Sequence, residues 1–227
     1  MLRIATWNVH EGVGTDGRYD SRRIVRVLRE LEAEVIALQE VPLGGPGRHD
    51  LAADIDLPPG WEIAVGATLD TPARRFGNAV LSRYPIEAVR SIDLSFGRRE
   101  PRGALDADIE CRGRRLRVVA THLGLRAAER RAQVRRLLAA FDTDRMPVVL
   151  LGDLNEWFVR GRALLWLRAH FGAVPPVRSF PSCMPLFALD RIWMHPVERL
   201  VDVRAHRSPA ARVASDHLPV IARIDWP

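Results

Sequence analysis

The chain has 227 residues, 47% of them hydrophobic, and only two cysteines, Cys111 and Cys183, far apart in sequence. That is enough to bury a core in one large or two small domains, and it excludes a disulfide framework and a thiolate zinc site. The formal charge is +6, yet every basic residue is arginine and none is lysine, so the balance reads as a coding bias before it reads as a dedicated phosphate-binding surface.

The first strand-like run, 2–9, begins directly in "MLRIATWNVH", without a charged leader or cleavage site. No apolar stretch approaches membrane-spanning length, so a cytoplasmic protein without a transmembrane segment is expected. This run delivers Asn8 and His10. Residues 21–33 predict a helix with Ile24, Val25, Val27, Leu28 and Leu31 on one side and Asp20 or Ser21 as N-cap. The run 35–39 delivers Gln39 and Glu40. Strands are predicted at 61–65, 78–82, 88–94, 104–110 and 116–122, the last two joined by a tight hairpin through Gly113, and the last ends on His122. Residues 127–141 predict a helix that sets Val134, Leu137, Leu138 and Phe141 against arginines 130, 131, 135 and 136, read as its solvated face.

In "PVVLLGDLNEW", 147–157, the short apolar run 148–151 reads as a strand covered on both faces, ended by Gly152. Asp153 and Asn155 follow it, where ligands bind in open α/β sheets; an isolated G-D-x-N would instead be an Asx turn. A shorter helix, 162–170, carries Leu164, Leu165 and Leu167. Strands at 191–194, 200–205 and 218–224 complete the series, flanked by Asp190, Asp216 and His217. No linker, repeat or low-complexity segment divides the chain, so one domain over 1–227 is expected, with sheets packed face to face and helices outside.

Six apolar runs are thus followed or flanked by an acid, amide or imidazole, and convergent strand ends are how α/β scaffolds assemble catalytic groups. Glu40, Asp153, Asp190 and Asp216 are hard oxygen donors, joined by Asn8 and Asn155, which favours Mg²⁺, with Mn²⁺ as a substitute, over structural zinc. Mg²⁺ takes one or two protein carboxylates and leaves the other acids for proton transfer and orientation, a division of labour that suits phosphoester hydrolysis.

"TWN", "LQE", "GNAVLS", "RGAL", "ATHL", "GDLNEW", "LDRIW" and "SDHLP", in this order from about Trp7 to Pro219, resemble the endonuclease/exonuclease/phosphatase superfamily, the deoxyribonuclease-I-like fold. The resemblance implies a four-layered α/β sandwich: two packed central β-sheets flanked by helices, with the site at one sheet end. It implies Glu40 as principal metal ligand, Asn8 beside it, and Asp216 contributing directly or through water. Asp153 would orient or deprotonate the attacking water, Asn155 would hold the phosphate, and His122 would stabilise charge developing in the transition state. His217 would contact a phosphoryl oxygen or transfer a proton, its tautomer fixed by Asp190. Asn78 and Arg102 are further substrate contacts.

Each of these residues also has a structural reading: a strand-end acid for Glu40, packed histidines for His122 and His217, an Arg191 partner or strand cap for Asp190. His10, His49, His170, His195 and His206 are read as structural. Many nuclease-type relatives carry an acid where this chain has His10, which implies one carboxylate fewer on that side. "SCMPLF", 182–187, is either an apolar lip or packing beside "LDRIW", and packing is the preferred reading; Trp157 and Phe158 contact substrate or stabilise their loop. The expected activity is that of a monomeric phosphodiesterase of nuclease type acting on DNA or RNA. The alternatives are a phospholipid or inositol-type head-group hydrolase meeting an anionic membrane, and, ranked low, a non-catalytic binding protein.

Overall fold

The computed structural model describes residues 1–227 apart from positions 46, 72, 73, 142 and 144. One sheet has six strands in the order β10 (Leu200–Ala205), β11 (Val220–Ile224), β1 (Leu2–Asn8), β2 (Val35–Pro42), β4 (Arg75–Ser82) and β3 (Glu62–Asp70). The other has five: β5 (Ile86–Asp93), β6 (Gly103–Cys111), β7 (Arg114–His122), β8 (Val148–Asp153) and β9 (Asp190–His195). Both are mixed, with β1–β2 and β7–β8 parallel and the other pairs antiparallel.

Apolar residues divide into three layers. Leu2, Ile4, Val35 and Ala37 of the first sheet meet Leu116, Val118, Ala120, Val149 and Leu151 of the second. On the outer face of the first sheet, Ala5, Trp7, Ile36 and Leu38 pack on α1 (Ser21–Leu31), α2 (Leu51–Asp54) and α5 (Pro209–Ala214). On that of the second, Val119, Val148 and Leu150 pack on α3 (Ala127–Ala140) and α4 (Arg162–Phe171). The result is the expected four-layered α/β sandwich.

Side chains alternate along a strand, and here the alternation carries polar residues into the space between the sheets. In β7 the inward series Leu116, Val118, Ala120 continues to His122; in β8, Val149 and Leu151 continue to Asp153. In β9 it runs backwards from Met194 and Ile192 to Asp190, and in β1 forwards from Leu2 and Ile4 through Thr6 to Asn8. The core thus turns polar at one shared end of both sheets.

Several local expectations change. Helix α1 ends at Leu31, two residues early, because Glu32 takes a left-handed conformation at its C-cap (φ 47°). Helix α5 went unpredicted: its six residues are too few to show a period, although Ser208 caps it and Pro209 opens it. Leu165 on α4 faces outward. Arg130 is not on a solvated face of α3 but buried, because Glu156 supplies a matching buried carboxylate. The segment 182–187 is not packed away as preferred, since Met184, Leu186 and Phe187 are exposed. The Gly113 hairpin forms as read, with Arg112 and Gly113 both left-handed (φ 56° and 79°).

Candidate active site

Strand pairing places the site residues. His122 is the register partner of Asp153, and Asp153 that of Asp190. Because β9 runs antiparallel to β8, its first residue lies beside the last of β8. Asn8 ends β1 and pairs with Gln39. Glu40 follows Gln39 and by simple alternation would face the helices. The β2–β4 register shifts between Leu38 and Val41, and Glu40 itself is left-handed (φ 55°), a bulge of the kind that re-aims a side chain. Its carboxylate accepts a hydrogen bond from Asn8 Nδ2 (3.2 Å), which also donates to Asp153 Oδ2 (3.1 Å). Asn8 Oδ1 accepts from the backbone of His10 (3.0 Å).

Asp153 is the centre of the cluster. Its Oδ1 accepts from the Asn155 backbone (2.8 Å), an Asx turn that coexists with the cluster. Its Oδ2 lies 3.5 Å from His122 Nε2 and 3.6 Å from His217 Nε2. Asn155 is left-handed (φ 49°), donates to Leu123 O (2.9 Å) and lies 2.9 Å from His122 Nε2. Gly152 cannot be replaced here: its φ is 146° and an added Cβ would meet Thr121 O at 1.8 Å.

The two histidines are driven apart. His122 is pushed down to about 3, first by burial and then by the neighbouring Arg102 charge, with Asp153 opposing. Arg102 lies 3.1 Å from His122 Nδ1 and pairs with Glu100 (2.9 Å). A guanidinium and an amide NH₂ both only donate, so Arg102 at Nδ1 and Asn155 Nδ2 at Nε2 compete for the single acceptor nitrogen of the neutral ring. Burial also pulls His217 down, but the charges of Asp190, Asp153 and Asp216 and the Asp190 hydrogen bond outweigh it and raise it to about 10. His217 Nδ1 is 2.8 Å from Asp190 Oδ2, which also accepts from Ser179 Oγ. Ser215 holds the adjoining turn by donating to Asn8 O (2.7 Å) and accepting from the His217 backbone (3.1 Å). Asp216 points toward solvent beside His10, 3.9 Å away.

Glu40 is held above the usual carboxylate range by burial, relieved by the Asn8 hydrogen bond and worsened by the Asp153 charge. Asp190 Oδ1 is buried without a hydrogen-bond partner among the described residues. Asp153, Asp190 and His217 offer ligand atoms within 4.8 Å of one another. The carboxylates of Asp153, Asp190 and the neighbouring Glu40, with no thiolate among the described residues of the cluster, fit a hard divalent cation.

Asn78 donates to Gly103 O (3.0 Å), stitching β4 to β6, and with Arg102 lines a cleft of about 180 Å³. One arrangement was not legible in the sequence: Arg130 grips both Glu156 oxygens (3.1 Å each) and donates to Leu125 O (2.6 Å) and Gly124 O (3.3 Å). It ties the loop after His122 to the loop after Asp153. The only signal was an acid directly after "GDLN".

Two face-to-face sheets whose shared end gathers acids, amides and two opposed histidines define a class, the α/β-sandwich hydrolases. Within it the chain belongs to the endonuclease/exonuclease/phosphatase family, whose family model matches residues 5–217. It is 31% identical over 255 residues to the uncharacterized protein YbhP of Escherichia coli (strain K12), covering 98% of this chain and 96% of that one. It is similar to the endonuclease/exonuclease/phosphatase structure from Beutenbergia cavernae DSM 12333 (TM-score 0.74, 26% identity), covering 98% of this chain and 71% of that one. The mannosyl-6-phosphatase of Bacteroides thetaiotaomicron VPI-5482 shares the fold at 15% identity (TM-score 0.76), each chain fully covered. No helix among the described residues is long and apolar enough to cross a membrane.

Proposed function

We propose that the chain is a divalent-metal-dependent hydrolase of phosphodiesters. The observation that carries this reading is Asp153, held between a neutral His122 and a charged His217 with Glu40 one amide away. Groups driven apart by their surroundings mark a division of acid, base and electrostatic roles.

Glu40, with Asn8 beside it and Asp216 at the solvent edge, would hold Mg²⁺ or Mn²⁺, which supplies neutralisation of phosphoryl oxygens when bound. Asp190 Oδ2 is committed to His217 and Ser179, so Asp190 serves the histidine. Asp153 accepts the proton of the attacking water, with Asn155 holding its Oδ1 in place from the backbone. Asn155 and His122, side by side at the end of β7 and β8, would contact the phosphoryl oxygens. His217, positive and oriented by Asp190, donates from Nε2 to the phosphoryl group as its charge develops. Arg102 acts through His122, whose ring its charge helps to keep neutral.

Among diesters, the net charge of +6 suits a nucleic-acid backbone, whereas the exposed apolar side chains of 182–187 suit a lipid head group. A turnover panel of DNA, RNA, cyclic dinucleotides, phospholipids and phosphomonoesters, with Mg²⁺, Mn²⁺ or chelator, tests the reading. Metal-dependent cleavage of a diester that is lost in Asp153→Asn is expected. Chelator-insensitive turnover, or no turnover of any diester with either ion, overturns it.

A further inference from the structure

Beside His217 the protein exposes apolar side chains that its fold does not need. Phe158 is 75% exposed and Met184 63%, and Val159 and Leu186 are exposed with them. They sit on two segments, 157–159 after β8 and 183–187 before β9, joined where Trp157 packs edge-on against Phe187 (ring centroids 4.8 Å). Trp157 also meets Phe180 (5.7 Å), and Phe180 packs on the His217 ring (4.7 Å). A continuous aromatic seam therefore runs from the catalytic centre to this lip.

The two lip segments and the chain between them carry charge of one sign, and the acid that adjoins them is Asp216, whose carbonyl accepts from Ser182 N (2.7 Å). Between Glu156 and Asp190 the chain carries four arginines and no acid. Arg160, Arg162 and Arg178 are exposed, and Arg212 reaches in to donate to Cys183 O (3.0 Å). An apolar tip flanked by arginines is the chemistry of a surface that seats in an anionic bilayer, its tip among the acyl chains and its arginines at the head groups. Single-stranded nucleic acid calls for a row of open aromatic faces on which bases stack; here Phe158 presents a ring, but Trp157 is engaged by two neighbours, and Val159, Met184 and Leu186 offer no π-face.

We infer that the lip formed by residues 157–159 and 183–187 docks the protein on an anionic lipid surface, presenting His217 to a phosphoester carried at the lipid head group. The substrate half of this inference rests on the phosphodiesterase reading; the docking half does not.

The test is cosedimentation of the full chain, in chelator and without turnover, with phosphatidylcholine vesicles containing or lacking phosphatidylglycerol. Binding to the anionic vesicles alone is expected, weakening with salt. Met184→Ser combined with Leu186→Ser should weaken it by about 100-fold, with thermal stability and metal-dependent turnover of a small soluble diester unchanged. Arg160→Gln, Arg162→Gln and Arg178→Gln should each weaken it by about fivefold. Absence of binding, undiminished binding by the serine variant, or a lip that instead pairs two copies or holds single-stranded DNA overturns the inference. An active enzyme that ignores vesicles refutes docking alone. An inactive chain that binds them through the lip refutes the phosphodiesterase reading alone.

Discussion

Cutting the tie between Arg130 and Glu156 should cost both stability and turnover. Their side chains are 4% and 5% exposed, and the guanidinium meets both carboxylate oxygens. Replacing either partner with leucine leaves the other charge buried and unpaired, a loss of about 3–5 kcal/mol. Arg130→Leu also strands the carbonyls of Gly124 and Leu125 and should lie at the upper end. For a chain of this size each kcal/mol moves the melting temperature by about 2–4 °C, so a fall of roughly 6–20 °C is expected. Joint replacement removes both charges and should cost less than the sum of the singles, a coupling read from urea unfolding of the four proteins in a double-mutant cycle. Because the pair fixes the loops after His122 and Asp153, turnover of a chromogenic diester should fall in kcat more than in KM, measured well below the lowered melting temperature. Single variants within about 1 kcal/mol of the parent, or strictly additive losses, would refute the reasoning.

Glu40→Gln should abolish Mg²⁺ binding by calorimetry while making the metal-free protein more stable near neutral pH, since burial disfavours the ionised Glu40 carboxyl; the gain should vanish in acid, where Glu40 is protonated in the parent too. Asp153→Asn and Asn155→Ala should each lower kcat by about 10²- to 10⁴-fold with KM little changed; near-normal turnover in both would leave this stretch as a turn and nothing more. In the metal-free protein the His217 imidazolium contributes stability that is complete below about pH 6.5 and is lost as the pH climbs through about 10. Asp190→Asn should bring the His217 titration down, seen by NMR, and flatten that alkaline arm without changing Mg²⁺ affinity; an unmoved titration removes the pairing. The same spectra should show His122 neutral throughout, titrating only near 3, and Arg102→Met should raise that value.

The strands were legible because their apolar runs are short, β-branched and punctuated by glycine and proline, and the ordered motifs added the way the sheets stack. Polar strand ends pointed to Asn8, His122, Asp153, Asp190 and His217, and the structure gathers these at one place. What escaped depends on partners distant in sequence or on a local break of rhythm. Nothing local to Arg130 distinguishes it from Arg131; only Glu156, 26 residues away, makes its burial affordable. The outward-to-inward turn of Glu40 comes from a bulge that alternation alone does not foretell. Exposure of Met184 and Leu186 was misjudged because an apolar run is ordinarily read as packed.

The parity that carries β7, β8 and β9 from core to cluster also sets where the gene can change length. Deleting one residue between Val148 and Leu151 would turn Asp153 from the gap between the sheets toward α3 and α4, while leaving an apolar strand that still pairs. Insertions at the opposite sheet end, such as at the Gly113 hairpin, leave that parity untouched. Drift in this lineage should therefore accumulate length differences in the turns remote from His217, and a library of single-codon deletions should lose activity in these three strands well before it loses soluble expression.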